Sequence, residues 1–187
     1  GYSLDGPKCL VYDYKERGSL ENLIMYASDK ASPKNNNLSW QRRLCIIGQI
    51  ISAIEYLHTV ADPPIIHRDI KPENILLTET GEVKLLDFGL SRTVGSGSYA
   101  KTFAGTPEYY APEVDPKRRL GGMREGYGVK ADCWSFGACL YVMLSGIFPE
   151  YEAGDTGFIS FDRSSHWGSV SAEAKDLIKR LMHPHPE

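Results

Sequence analysis

Two short apolar runs, Ile75-Leu76-Leu77 and Val83-Lys84-Leu85-Leu86, flank the turn-forming stretch Thr78-Glu79-Thr80-Gly81-Glu82. Apolar runs broken by a glycine are the local signature of a β-hairpin, and a hairpin dictates which residues face each other across the ribbon. Centred between Thr80 and Gly81, its opposed positions sum to 161, which sets Asn74 across from Asp87. Opposed Cα atoms lie about 4.5 to 5.5 Å apart, so a carboxamide and a carboxylate are expected side by side at the open end. Hard oxygens of this type suit magnesium, which keeps its other positions for water and phosphate oxygens.

Immediately upstream, Asp69 and Lys71 flank Ile70 in a segment that Pro72 holds out of helix, since proline restricts the residue before it and has no amide hydrogen. A carboxylate can take a proton from an attacking hydroxyl, and an ammonium two residues on can neutralise a phosphoryl group in transfer. The run His67-Arg68-Asp69-Ile70-Lys71-Pro72-Glu73-Asn74, followed by Asp87-Phe88-Gly89, resembles the catalytic loop and metal-binding triplet of eukaryotic protein kinases.

That resemblance, and not the spacing, implies roles for individual side chains. Asp69 is the catalytic base, Lys71 steadies the γ-phosphate, and Asn74 and Asp87 hold magnesium, with ATP and Mg2+ as cofactors. Leu10 to Tyr14 resembles the strand entering the hinge, with Tyr12 beside the adenine and backbone groups of Asp13 and Lys15 on the base edge. Glu73 and Leu76 complete the nucleotide-contacting set, and Glu73 is also placed to receive a substrate arginine. The segment Thr102 to Glu113 resembles the one that docks substrate, which brings Thr106 to Asp69. Thr102 is the expected site of an activating phosphate added by another kinase, with Arg68 as the cation beside Asp69 that favours the incoming charge.

The rest of the chain reads as scaffold. Ser19, Ser39 and Ser171 are expected N-caps of helices. In the helix after Ser39, the residues Trp40, Leu44, Ile47, Ile51 and Ile54 recur at spacings of four and three, the pattern of a core-facing stripe. His58 near its end is expected on the surface, where a helix C-terminus favours a protonated ring. Residues 90 to 101, rich in Ser and Gly, read as a loop, and residues 115 to 131 as a basic, Gly-rich insertion. From Asp132 to Leu144 the chain is apolar nearly all round, which predicts a buried helix too short to span a bilayer. By the resemblance, Asp132 also braces the catalytic loop. Ala174, Leu177, Ile178 and Leu181 form the apolar face expected for the last helix, and the spacing of His183 and His185 around Pro184 does not by itself mark a metal site.

Composition excludes several functions. A net charge of −3 over 187 residues gives no overall attraction to nucleic acid or anionic membrane. Cys9, Cys45, Cys133 and Cys139 lack metal-ligand spacing and are expected as reduced core thiols. No membrane segment or signal peptide is evident, so a cytoplasmic or nuclear location is expected.

The expected fold class is α+β, a kinase-like large lobe, mainly helical with short hairpins and with the small lobe largely missing. Residues 1–187 are expected to form one partial domain, incomplete at both ends. No Gly-x-Gly-x-x-Gly loop or Val-Ala-x-Lys strand precedes the hinge-like segment. Lys71 and Gly105-Thr106-Pro107-Glu108-Tyr109 resemble the Ser/Thr type, and the later half resembles the calcium/calmodulin-dependent and checkpoint kinase group. Phosphoryl transfer from ATP to Ser/Thr protein substrates is therefore the expected function. The alternative is a partial kinase domain acting as a non-catalytic binding or scaffolding module.

Overall fold

Three serines start three of the helices by the same means. Each side-chain oxygen accepts from a backbone amide three residues on: Asn22 N to Ser19 Oγ, Arg42 N to Ser39 Oγ and Ala174 N to Ser171 Oγ, all at 3.3 Å. The computed structural model describes residues 18–28, 38–93, 105–114, 128–150, 159–162 and 165–184. Within them run α1 (Leu20–Ser28), α2 (Trp40–Glu55), β1 (Ile65–Ile66), β2 (Ile75–Leu77), β3 (Val83–Leu85), β4 (Arg92–Thr93), α3 (Lys130–Ser145) and α4 (Ala172–Leu181). The expected hinge strand, the centre of the Ser/Gly-rich loop and most of the basic insertion lie outside the described residues.

Helix α3 is the axis of the core, as its all-round apolar sequence predicts. It is buried from Ala131 through Met143 apart from Cys133, and Gly146 ends it at φ 73, a conformation that favours glycine. Its neighbour α4 lies very close at Gly137, where a Cβ would come within 2.6 Å of Met182 Cγ and 2.9 Å of Leu181 Cβ. Glycine is thus what admits Met182, itself fully buried, into the core. On α4 the expected apolar face holds at Ile178 and Leu181, but Leu177 is 41% exposed. Among the described residues no helix is long and apolar enough to cross a membrane.

The stripe on α2 differs from expectation. Ile46, Ile50 and Ile54 are buried, with Leu57 continuing the row, whereas Trp40, Leu44 and Ile51 are exposed. The helix carries two overlapping apolar rows at helical spacing, and periodicity cannot choose between them; packing against the hairpin and α3 does. The thiols divide similarly: Cys139 is buried as expected, Cys133 is half-buried and Cys45 is exposed, all three free.

The predicted hairpin forms between β2 and β3, antiparallel, with a second two-stranded pairing of β1 and β4. Its register differs by one from the expected one. Ile75 faces Leu85, Leu76 faces Lys84 and Leu77 faces Val83, so opposed positions sum to 160 and Asn74 faces Leu86, not Asp87. The cause is the connection. Thr78 N donates to Glu82 O at 2.9 Å and Glu82 N to Thr78 Oγ1 at 3.0 Å, closing a five-residue loop centred on Thr80, with Gly81 at φ 85. An odd loop centres on a residue, and the whole pairing shifts with it.

Candidate active site

Buried carboxylates are held by what they accept, and Asp132, 1% exposed at the start of α3, accepts three times. Its Oδ2 takes the amide of His67 at 2.8 Å, its Oδ1 the amide of Arg68 at 2.9 Å, and the His58 ring nitrogen Nε2 lies 2.9 Å from Oδ2. Arg68 stands at φ 74, a left-handed conformation that disfavours a side chain by about 1–2 kcal/mol. Accepting two successive amides holds the chain in that kink. His58 is therefore not the surface residue expected. Burial opposes its charge, but hydrogen bonds to Asp132 and Cys133 and their negative charge outweigh it, raising its pKa to about 9.

His67 is fully buried and serves as the next joint. Its Nδ1 accepts from Asp69 N at 3.3 Å and its Nε2 donates to Leu86 O at 2.9 Å, a pairing that requires the neutral Nε2–H tautomer. Burial, the dominant influence, lowers its pKa against the pull of nearby carboxylates and the Leu86 carbonyl, in keeping with that tautomer. The Phe88 ring meets the imidazole edge-on at 4.8 Å. Both neighbours of Asp87 are thus tied to His67. Asp87 itself is exposed and left-handed at φ 63, ψ 66, with Oδ1 accepting from Gly89 N at 3.2 Å.

At the centre, Asp69 is 7% exposed. Asn74, at the end of the 3-10 turn Pro72–Asn74, donates its Nδ2 to Asp69 Oδ2 and to the Asp69 carbonyl, both at 2.8 Å. Lys71 Nζ lies 3.3 Å from the same Oδ2 and donates to Thr106 Oγ1 at 2.7 Å. Thr106 Oγ1 in turn donates to Asp69 Oδ1 at 2.8 Å. Thr106 comes from a distant segment that is fixed at two points. Ser135 Oγ, one turn along α3 from Asp132, donates to Tyr109 O at 2.8 Å, and Tyr110 donates its hydroxyl to Gly105 O at 2.8 Å. Gly105 passes so near the backbone before Asp69 that a Cβ there would lie 2.3 Å from Arg68 O.

Of the residues singled out in the sequence, Asp69, Lys71, Asn74 and Thr106 meet in one network. Asp87 stands just beyond the ribbon, reached through the ties of its neighbours to His67. Leu76 is half-buried in β2 and bridges Ser19, and Glu73 is half-buried with its Oε2 inaccessible and without a hydrogen-bond partner among the described residues. Tyr12, Asp13, Lys15 and Thr102 lie outside the described residues. His58, His67 and Ser135 were missed as site residues. The polar spacing of Asp132 and Ser135 on a buried helix could have flagged the last; His67 heads the motif that carries the resemblance, but nothing local marks the role of its ring, and His58 has no local signal.

The protein kinase domain model matches residues 4–187. The chain belongs to the protein kinase family. This kinase chain is 41% identical to the probable serine/threonine-protein kinase fhkE of Dictyostelium discoideum, over 92% of its own length and 24% of that relative. It is 39% identical to the meiosis-specific serine/threonine-protein kinase mek1 of Schizosaccharomyces pombe, over 76% of the chain and 33% of the relative. It is 38% identical to the serine/threonine-protein kinase PEPKR2 of Arabidopsis thaliana, over 80% and 31%. The chain thus spans a third or less of the length of these relatives.

Proposed function

We propose that this chain carries the catalytic segment of a protein serine/threonine kinase that transfers the γ-phosphoryl group of ATP to protein hydroxyls. The observation that supports it most is the bond from Thr106 Oγ1 to Asp69 Oδ1 at 2.8 Å, a threonine hydroxyl presented to a buried carboxylate. A substrate hydroxyl in the same position would give its proton to Asp69 as its oxygen bonds to phosphorus and the bond to the ADP oxygen breaks. Asn74 holds Asp69 in orientation, and Lys71 supplies positive charge where the transferring group gains negative charge.

The donor set suits magnesium. Asn74 commits its Nδ2 to Asp69, which leaves the amide oxygen as its ligand atom, and Asp87 offers an exposed carboxylate. Among the described residues no three acidic, His or Cys side chains gather into a cage, in keeping with an ion that retains water and phosphate ligands. When bound, the ion neutralises charge on the phosphates.

The half-buried Glu73, next to Asn74 in the 3-10 turn, supports an arginine in the substrate as the partner of its carboxylate. Arg68 beside Asp69 supports Thr102 as the site of an activating phosphate from another kinase.

The test is phosphate transfer by the full-length protein from labelled ATP to paired peptides bearing Ser, Thr or Tyr, with and without an arginine before the acceptor. Magnesium-dependent labelling of the Ser and Thr peptides is expected. ATP binding with no transfer to any of them would overturn the proposal.

A further inference from the structure

The hairpin that leads into Asp87 has an edge. Hydrogen bonds from Leu86 N to Asn74 O at 2.8 Å and from Thr78 N to Glu82 O at 2.9 Å show that even-numbered positions turn their backbone groups toward the partner strand. Odd-numbered positions of β3 therefore turn theirs outward, toward α2, as does the Gly81 carbonyl in the loop, whose amide instead donates to Thr78 O at 3.0 Å. A two-stranded ribbon has no third strand to take them, and an amide left unpaired there would disfavour this register.

Gln49 takes two of them. From the middle of α2 its Oε1 accepts from Val83 N at 2.8 Å and its Nε2 donates to Gly81 O at 3.2 Å. The two partners are two residues apart on the outward edge, so one side-chain amide fills the place that a peptide group of a third strand would hold. The partners also fix its orientation, because an amide nitrogen can only donate and a carbonyl oxygen only accept. The segment from Gly81 to Leu86 is then fixed at both ends, by Gln49 at the loop and by His67 Nε2 on Leu86 O at 2.9 Å.

We infer that Gln49 is a positioning residue for the magnesium site: by holding the outer edge of β3 it fixes the hairpin register that delivers Asp87 beyond Asn74. This rests on the reading of Asp87 as a magnesium ligand. Gln49 touches neither metal nor substrate and acts only through the strand. A slip of one residue would reverse the facing of every side chain in β3 and displace the carboxylate.

The experiment compares full-length wild-type enzyme with Gln49→Met, which keeps the length and removes both hydrogen bonds to the hairpin, Gln49→Glu, which keeps an acceptor for Val83 N, and Asp87→Asn. The magnesium concentration giving half-maximal rate and the KM for a peptide substrate are measured on each, with a melting curve to confirm folding. Gln49→Met should raise the magnesium requirement on the order of tenfold, as outer-shell partners of metal ligands do, with peptide KM unchanged. Gln49→Glu should shift it in the same direction by less. Should Gln49→Met fail to fold, Gln49→Glu decides alone. A wild-type magnesium curve for a folded Gln49 variant, with Asp87→Asn shifted, overturns the inference and leaves the reading of Asp87 standing. A wild-type curve for Asp87→Asn overturns that reading, and this inference with it.

Discussion

Asp132 Oδ1 accepts the backbone amide of Arg68 at 2.9 Å, and Arg68 is one of two non-glycine residues with positive φ among the described residues. The carboxylate of a core helix thus holds a strained residue directly beside the proposed base, Asp69. Replacing Asp132 with Ala would leave two inward-facing amides and a cationic His58 without their acceptor. Loss of a buried charge partner of this kind destabilises by about 3–5 kcal/mol. Urea unfolding of the kinase-containing protein should show a loss of that order.

His58 makes that support dependent on pH. Its folded pKa, raised to about 9, lies above the ordinary 6.5, so its stabilisation is complete below pH 6.5 and is lost as pH rises through about 9. Unfolding free energy should fall across that window in the wild type. In His58→Gln, which can still donate to Asp132 without titrating, this component of the slope should vanish.

Gly105 is where the segment bearing Thr106 crosses the backbone beside Asp69. It has φ 114, and a Cβ there would meet Arg68 O at 2.3 Å. Gly105→Ala should therefore push Thr106 away from Asp69 while barely touching the core. A misplacement of about 1 Å near reacting groups can lower the rate by about 10²-fold. Steady-state kinetics should show the loss in kcat, with only a small change in melting temperature.

Gly137 should behave in the opposite way. A side chain there would collide with Met182 and Leu181 and separate α3 from α4. Gly137→Val is expected to destabilise by about 1–3 kcal/mol, as overpacking does. Truncating Met182 to Ala in the same chain should recover part of the loss, measured as the coupling in a double-mutant cycle.

How much of this could be read in the sequence depended on how local each cause was. The serine caps, the all-round burial of α3 and the hairpin itself arise from residues a few positions apart, and the sequence was enough to place them. The hairpin register turned on the hydrogen bonding inside one five-residue loop, where Thr78 and Glu82 rather than Gly81 alone set the centre. The choice between the two apolar rows of α2 lay with distant partners. So did the position of His58, whose acceptor is 74 residues away in sequence. At the site, Asp69, Lys71, Asn74 and Thr106 were visible through family resemblance, whereas the joint made by His67 depends on a ring tautomer fixed by Asp69 and Leu86 together.

Asp69→Asn tests the role of that carboxylate most directly, since the amide keeps the shape of the side chain and, with its oxygen at the Oδ2 position, the contacts with Lys71 and Asn74, but can no longer accept a proton. In the full-length protein, with ATP affinity measured alongside, kcat toward a serine or threonine peptide should fall by about 10²–10⁴-fold while ATP still binds. A variant that binds ATP and phosphorylates the peptide at the wild-type rate would contradict it.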